Sequence, residues 1–217
     1  MKKLIFIFLV LLSNTLLAQN KNFITTKELT LLNNVLQDNV VRVLLTTNND
    51  DSNTLRQKSL KVEIADPNLP LLIARLKSTV LDPNNTGVGI AAPQIGVLKR
   101  VFLIQRFDKP DEPFEVIINP IIEWKSNLIQ NGKEGCLSIP DTMGIVDRHY
   151  SIAISYELPN GNVIKNEIIE GFTAIIFQHE YDHLEGILFI DRLKEQSQTD
   201  YYNTQQQFKY LTPTNTR

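Results

Sequence analysis

Gln178-His179-Glu180-Tyr181-Asp182-His183-Leu184-Glu185-Gly186 continues a mostly apolar run, Phe172 to Phe177, and together they read as one helix from Gly171 to Gly186. At about 100° per residue, positions four apart lie within about 40° of each other on a helix. His179 and His183 therefore share one face, and two imidazoles at that spacing can bind a single metal ion. Glu180 lies about 60° around from His183, where it can reach a water beside the ion without ligating it, as a general base must. The neighbours Ile175, Ile176, Phe177 and Leu184 imply a buried helix, and buried charge-capable groups require partners.

A two-histidine helix needs a third ligand. No histidine follows His183, and the glutamates downstream are Glu185 and Glu195. Upstream, Glu134-Gly135-Cys136-Leu137-Ser138 holds the single cysteine of the chain. A buried unpaired cysteine is most often a small hydrophobe, but the glycine before it and the Ser-Ile-Pro after it describe a shaped loop rather than a core strand. One cysteine also excludes an internal disulfide, and in an oxidising compartment a bound metal would protect the thiol. A third segment, Gly87-Val88-Gly89-Ile90-Ala91-Ala92-Pro93-Gln94, matches the spacing of a dinucleotide-binding G-x-G-x-x-A. That reading requires a preceding strand and a following helix. Here a turn-forming stretch precedes, and Pro93 and Gly96 interrupt any helix. The segment reads instead as backbone that approaches a ligand closely, with Gln94 as a side-chain donor.

Working outward, residues 27–45 carry Leu29, Leu32, Leu36, Val40 and Val43 at helix-like spacing, and 68–81 repeat the pattern with Leu72, Leu76 and Val80. Asn48 to Asn53 is a polar, acidic break between them. Arg100–Gln105, Glu115–Asn119, Ile152–Tyr156 and Val163–Ile169 are β-type runs, with a hairpin turn at Leu158–Gly161. An apolar strand is expected at Ile187–Ile190, and a loosely held polar tail from Gln196 onward. The sum is an α+β domain. Met1-Lys2-Lys3, the apolar run Leu4–Leu12 and Ala18 have the layout of a secretory signal peptide over residues 1–18. The expected organisation is then a helical extension over 19–53, a catalytic domain over 54–195 and a tail over 196–217. A net charge of −2 with 21% charged residues leaves no electrostatic footprint for nucleic acid or an anionic membrane, so a small-molecule or peptide ligand is expected.

Gly87–Gln94, Glu134–Ser138 and Gln178–Gly186, in that order, resemble the three signature motifs of peptide deformylases, a likeness that runs from about Leu55 to Arg192. The resemblance implies antiparallel or mixed sheets packed around a central metal-binding helix, and removal of the formyl group from N-formylmethionyl peptides. It places the metal ligands on Cys136, His179 and His183, the general base on Glu180, and the oxyanion donors on the Gln94 side chain and the Leu137 backbone N–H. It places the backbone of Gly89 against the substrate as an added strand, and Val88, Phe172, Ile175 and Ile176 around the methionine side chain. One divalent ion is implied, Fe2+ or Zn2+, with Ni2+ or Co2+ able to substitute, since a thiolate ligand suits iron as well as zinc. The same reading expects Arg148 to pair with Asp182, and finds Met143 where many relatives carry a basic residue near the substrate's peptide portion. It expects a monomer with N-formylmethionyl peptides as partners, no nucleic acid, and no membrane span once the leader is removed. Export to a periplasm or the exterior is expected, with a cytoplasmic or membrane-tethered protein as the alternative if the leader stays. Two rivals share the helix: a binding protein that holds metal or formyl-peptide without turnover, and a zinc peptidase or amidase.

Overall fold

The computed structural model of the protein describes residues 22–85, 87–197, 201–205 and 208–211. The leader segment read at 1–18 lies outside the described residues. In chain order come α1 (Thr26–Asn33), α2 (Asn49–Leu55), α3 (Leu69–Val80), β1 (Gly89–Ala91), β2 (Val101–Gln105), β3 (Phe114–Lys125), β4 (Leu128–Cys136), β5 (Ile139–His149), β6 (Ser151–Glu157), β7 (Val163–Glu170), α4 (Gly171–Leu184), α5 (Phe189–Gln196), β8 (Tyr201–Gln205) and β9 (Phe208–Leu211). The strands form two sheets, ordered β1-β2-β3-β6-β7 and β5-β4-β9-β8. Every ladder among the described strands is antiparallel, and the parallel pairing is a lone bridge between Leu60 and Lys99.

The pattern of β2 explains why α4 is central. Val101 and Leu103 face a core built with Leu72, Leu76 and Val80 of α3. Phe102 and Ile104 alternate to the opposite face and pack with Ala174, Ile176, Phe177 and Leu184 of α4. Phe102 meets Phe177 edge-on, with centroids 5.0 Å apart. Helix α4 thus lies against the first sheet and also contacts β4 and β5 of the second.

Four expectations change. The periodicity over 27–45 is not one helix: α1 starts at a capping box, in which the Glu28 N–H donates to Thr25 Oγ1 and the Thr25 N–H to the Glu28 carboxylate, and it ends at Asn33. Asp38 and Asn39 then turn the chain with φ of 57° and 63°, a region asparagine and aspartate tolerate, and Val35 bridges back to Val41. The polar break at 48–53 is instead the start of α2, because Asn48 Oδ1 accepts from the Asp50 and Asp51 N–H groups as an N-cap. The strand expected at Ile187–Ile190 is the entry to α5: the Leu188 N–H donates to Asp191 Oδ2 at 2.9 Å, and Phe189 and Leu193 pack on Ile139 and Val146. A four-residue apolar run cannot separate the two states by periodicity. Within the expected tail, the described Phe208–Leu211 form strand β9, which pairs with Leu128–Gln130 of β4, and Phe208 packs against Tyr150. The uncovered edge of β4 recruits a polar segment through main-chain bonds that side-chain patterning does not report.

The segment ahead of residue 54 belongs to the same body. Ile24, Leu29, Leu32 and Val41 join the α3 core. The Leu44 N–H donates to the Gln94 carbonyl and the Thr46 N–H to the Ser138 carbonyl, both at 2.8 Å. At the far end of α4, Gly186 has φ 72° and closes the helix through its N–H on the His183 carbonyl. A Cβ there would lie 2.4 Å from the Arg56 carbonyl oxygen, which is backbone and cannot swing aside. Gly186→Ala is therefore expected to cost about 2–4 kcal/mol, from the left-handed backbone and the forced displacement together. Urea denaturation measures it; an unchanged midpoint would show that the loop at Arg56 yields freely.

Candidate active site

Three segments far apart in sequence meet beside α4. Cys136 ends β4, where a register shift after Gly135 re-aims the strand into the two-residue turn Leu137–Ser138. The cysteine segment is thus a strand end leading into a tight turn, where its glycine and serine were expected to make a shaped loop. Cys136, His179 and His183 each offer one ligand atom, and these atoms lie within 4.8 Å of one another. Cys136 Sγ is 3.3 Å from His183 Nε2. His179 Nδ1 sits 2.8 Å from Glu134 Oε2, which leaves its Nε2 free to face the sulfur.

The electrostatics suit a thiolate. Burial would push the Cys136 thiol up, but the His183 and His179 imidazoles beside it hold it well below the usual thiol range. Burial disfavours charge on His179, yet the Cys136 sulfur and the Glu134 carboxylate raise it well above its ordinary value. Glu180 is pushed up to about 7 by burial, against the pull of the two imidazoles. A carboxyl poised there can accept and return a proton near neutral pH. Among the described residues, three buried side-chain polar atoms lack a hydrogen-bond partner, and two of them are Glu180 Oε2 and His183 Nδ1. One soft sulfur, two imidazoles and an unsatisfied carboxylate oxygen alongside fit a single divalent cation with a water next to Glu180.

Glycine makes the approach possible. A Cβ on Gly89 would fall 2.5 Å from Glu180 Oε1, so any side chain there would push the carboxylate out of its present position. Gln94 follows in the turn Ala92–Ile95, where its Oε1 accepts from the Ala91 N–H at 2.8 Å. This orients Nε2 towards Cys136 Sγ at 3.6 Å and Ser138 Oγ at 3.4 Å. Gln94, Leu137, Val88, Gly89, Phe172, Ile175 and Ile176 all line one cleft of about 950 Å³ with Cys136, His179 and Glu180. Ile175 and Ile176 are buried in its floor, and Phe172 is half exposed at its rim.

Behind Cys136, His179 and His183 runs an ion-pair relay. Arg148 donates from Nε and Nη2 to the two oxygens of Glu134 at 2.7 and 2.9 Å, and from Nη1 to Asp182 Oδ2 at 2.5 Å. The expected Arg148–Asp182 pair is therefore present. Arg192 adds a second fork on Asp182, at 3.0 and 2.5 Å. Burial opposes the charge on Glu134, but Arg148 and His179 win and hold it down at about 2. Sequence reasoning did not find the Glu134–His179 contact, the role of Arg192, or Phe107, whose ring packs 5.0 Å from that of Phe172. Spacing along one helix shows which side chains share a face, but these contacts join different elements.

Comparison with known proteins agrees with this geometry. The profile of the family described as Polypeptide deformylase matches residues 43–199. The chain is 40% identical over 171 residues to "Peptide deformylase 2" of Nostoc sp., covering 76% of this chain and 92% of that one. It resembles the Met-Ala-Ser-bound crystal structure of a class I type b peptide deformylase from Acinetobacter baumannii, with TM-score 0.61, 34% identity and coverage of 70% and 98%. A peptide deformylase from Thermotoga maritima matches with TM-score 0.61, 32% identity and coverage of 70% and 95%. Family members use a metal ion and hydrolyse the formyl–amine bond at the N-termini of formylmethionyl peptides. With the fold, the three motifs and the sequence match in agreement, this chain belongs to the peptide deformylase family.

Proposed function

We propose that the chain hydrolyses N-formylmethionyl peptides to formate and a free amine, with one divalent ion held by Cys136, His179 and His183. The convergence of a depressed thiol, two imidazoles and a buried carboxyl near pH 7 on one cleft carries this reading. Iron(II) and zinc both suit the donor set, and nickel or cobalt can stand in for them. When bound, the ion makes a water acidic enough to attack near neutral pH and polarises the formyl carbonyl. The chain's own groups do the rest. Glu180 accepts the proton of the attacking water and returns it to the amine nitrogen as the C–N bond breaks, so that no proton is lost or gained in the site. Gln94 Nε2, held in place by the Ala91 N–H on its Oε1, and the Leu137 N–H donate to the formyl oxygen as it gains charge. The backbone of Gly89 aligns the peptide as an added strand. Val88, Phe172, Ile175 and Ile176 receive the methionine side chain. The Acinetobacter relative is described as bound to Met-Ala-Ser, a peptide of the product class for this reaction.

No helix among the described residues is long and apolar enough to cross a membrane. We further propose that residues 1–18 direct export and that the enzyme acts on formyl-peptides outside the cytoplasm. The supporting observation is the basic start followed by the Leu4–Leu12 apolar run. Expression of the full chain followed by N-terminal sequencing is expected to return Gln19 from the exported fraction; an intact Met1 in the cytoplasmic fraction would sink this part.

Anaerobically purified protein is expected to release formate from formyl-Met-Ala-Ser and to carry about one equivalent of iron or zinc. Glu180→Gln should retain the metal and lose about 10²–10⁴-fold in kcat/KM, whereas Cys136→Ser should lose metal and activity together. Absence of formate release from metal-loaded wild type would favour a binding protein, and release of unformylated residues a peptidase. Asp182→Asn loosens Arg148 and, through Glu134, His179. It is expected to weaken metal retention by about tenfold, measured by competition with a chelator; unchanged retention would confine Asp182 to a role in packing.

A further inference from the structure

Gln94 stands on a short turn, Ala92–Ile95, so the aim of its side chain depends on what braces the backbone before and after it. Gly96 leaves the turn in the left-handed region, with φ 82°, and the chain runs on through Val97 and Leu98 to Lys99. The brace on this side comes from α1, which lies ahead of residue 43, where the match to the family profile begins. The Glu28 carboxylate is 8% exposed and both of its oxygens are engaged. Oε2 accepts from the Thr25 N–H and hydroxyl at 2.7 and 2.8 Å, and Oε1 accepts from the Leu98 N–H at 2.9 Å. Three residues further along α1, Leu31 covers Gly96, with its Cδ1 2.8 Å from the position of a Cβ on that glycine. The Lys99 side chain is fully buried beside them; burial pushes its ammonium down, and the charges of Glu28 and Asp66 oppose that.

We infer that Glu28 is a positioning residue for the reaction: by holding Leu98, it fixes the exit of the Gln94 turn and so the aim of Gln94 Nε2 at the formyl oxygen. This rests on the deformylase reading and adds to it a residue outside the three motifs. The turn is gripped on both sides. The Leu44 N–H donates to the Gln94 carbonyl at 2.8 Å, and Glu28 takes the Leu98 N–H four residues later. A capping box needs one carboxylate oxygen. The second oxygen of Glu28 is committed to the turn, which makes the start of α1 and the oxyanion donor parts of one hydrogen-bonded unit. A buried carboxylate is costly unless its hydrogen bonds are made, so this unit holds its shape only while Leu98 stays in place. A donor misplaced by about 1 Å can cost about 10²-fold in rate, and a brace that never touches substrate can therefore govern turnover.

The test measures kcat and KM on formyl-Met-Ala-Ser for the metal-loaded full chain and three variants. Glu28→Asp keeps the charge beside Lys99 but draws back from Leu98; Glu28→Gln keeps the reach and drops the charge. Arg75→Ala frees the same extension from α3, where Arg75 donates to the Leu32 carbonyl and to Asn39 Oδ1 at 2.8 Å each, away from the turn. Glu28→Asp is expected to lower kcat about tenfold with KM little changed, and Glu28→Gln to stay near the wild-type kcat. Arg75→Ala is expected to lower the thermal midpoint and leave kcat intact. In a Gln94→Ala background, Glu28→Asp should lower kcat no further, because the two residues act as one unit. A full tenfold drop in that background, an unchanged kcat in Glu28→Asp, or a loss in Glu28→Gln that Glu28→Asp does not share would each overturn the inference. The last outcome would assign Glu28 to the charge balance of Lys99. A wild type that releases no formate fails the deformylase reading and this role with it, whereas release that is indifferent to Glu28→Asp fails this role alone.

Discussion

A single buried guanidinium joins the two halves of the site. Arg148, on β5, grips Glu134 on β4 with two donors and Asp182 on α4 with a third. Taking these groups from water costs several kcal/mol per ion, and only close geometry and full hydrogen bonding recover it. The geometry here is complete: each Glu134 oxygen is engaged, and Asp182 is held by Arg192 as well. The relay therefore adds definition more than stability. It fixes which way β4 and α4 face each other, and so fixes the distance between a sulfur on one and two imidazoles on the other.

Glycine complements this ionic frame with clearance. Gly89 lets β1 run directly over the Glu180 carboxylate, and Gly132 lets β4 lie against Ile175, whose Cγ2 would be 3.0 Å from an added Cβ. The first approach brings the backbone of β1, at the lip of the cleft, within reach of a buried carboxylate. The second seats Ile175, in the floor of the cleft, against the strand that ends in Cys136. Charge holds the elements in register and the missing side chains let them come close; neither device would assemble the site alone.

Much of the site was legible in the sequence because its chemistry is written in short spacings. His179 and His183 share a helix face by arithmetic, Cys136 is the single thiol, and Gln94 follows two glycines and a proline. The helix Leu69–Val80 and strands β2, β6 and β7 also followed from periodicity. What was not legible depends on partners far away in the chain. Strands β4 and β5 carry glycines and polar residues on both faces, such as the buried Gln130 and the exposed Lys133, so their pairing is set by main-chain bonds rather than by an apolar rhythm. The same holds for β9, which is a strand because β4 offered an edge. Helix α2 was hidden by its own N-cap and acidic first turn, which in isolation look like a loop.

The backbone bonds from Leu44 to Gln94 and from Thr46 to Ser138 carry a consequence for assembly. These contacts, like those between Cys136 and the two histidines, span long stretches of chain, so the centre is made almost wholly of interactions with high contact order. A nascent or translocating chain presents its N-terminal segment first and His183 among the last of these residues. No partial chain ending before α4 holds more than a single ligand. A metal ion held by all three of Cys136, His179 and His183 would therefore be taken up only once α4 is in place, in whichever compartment the chain closes.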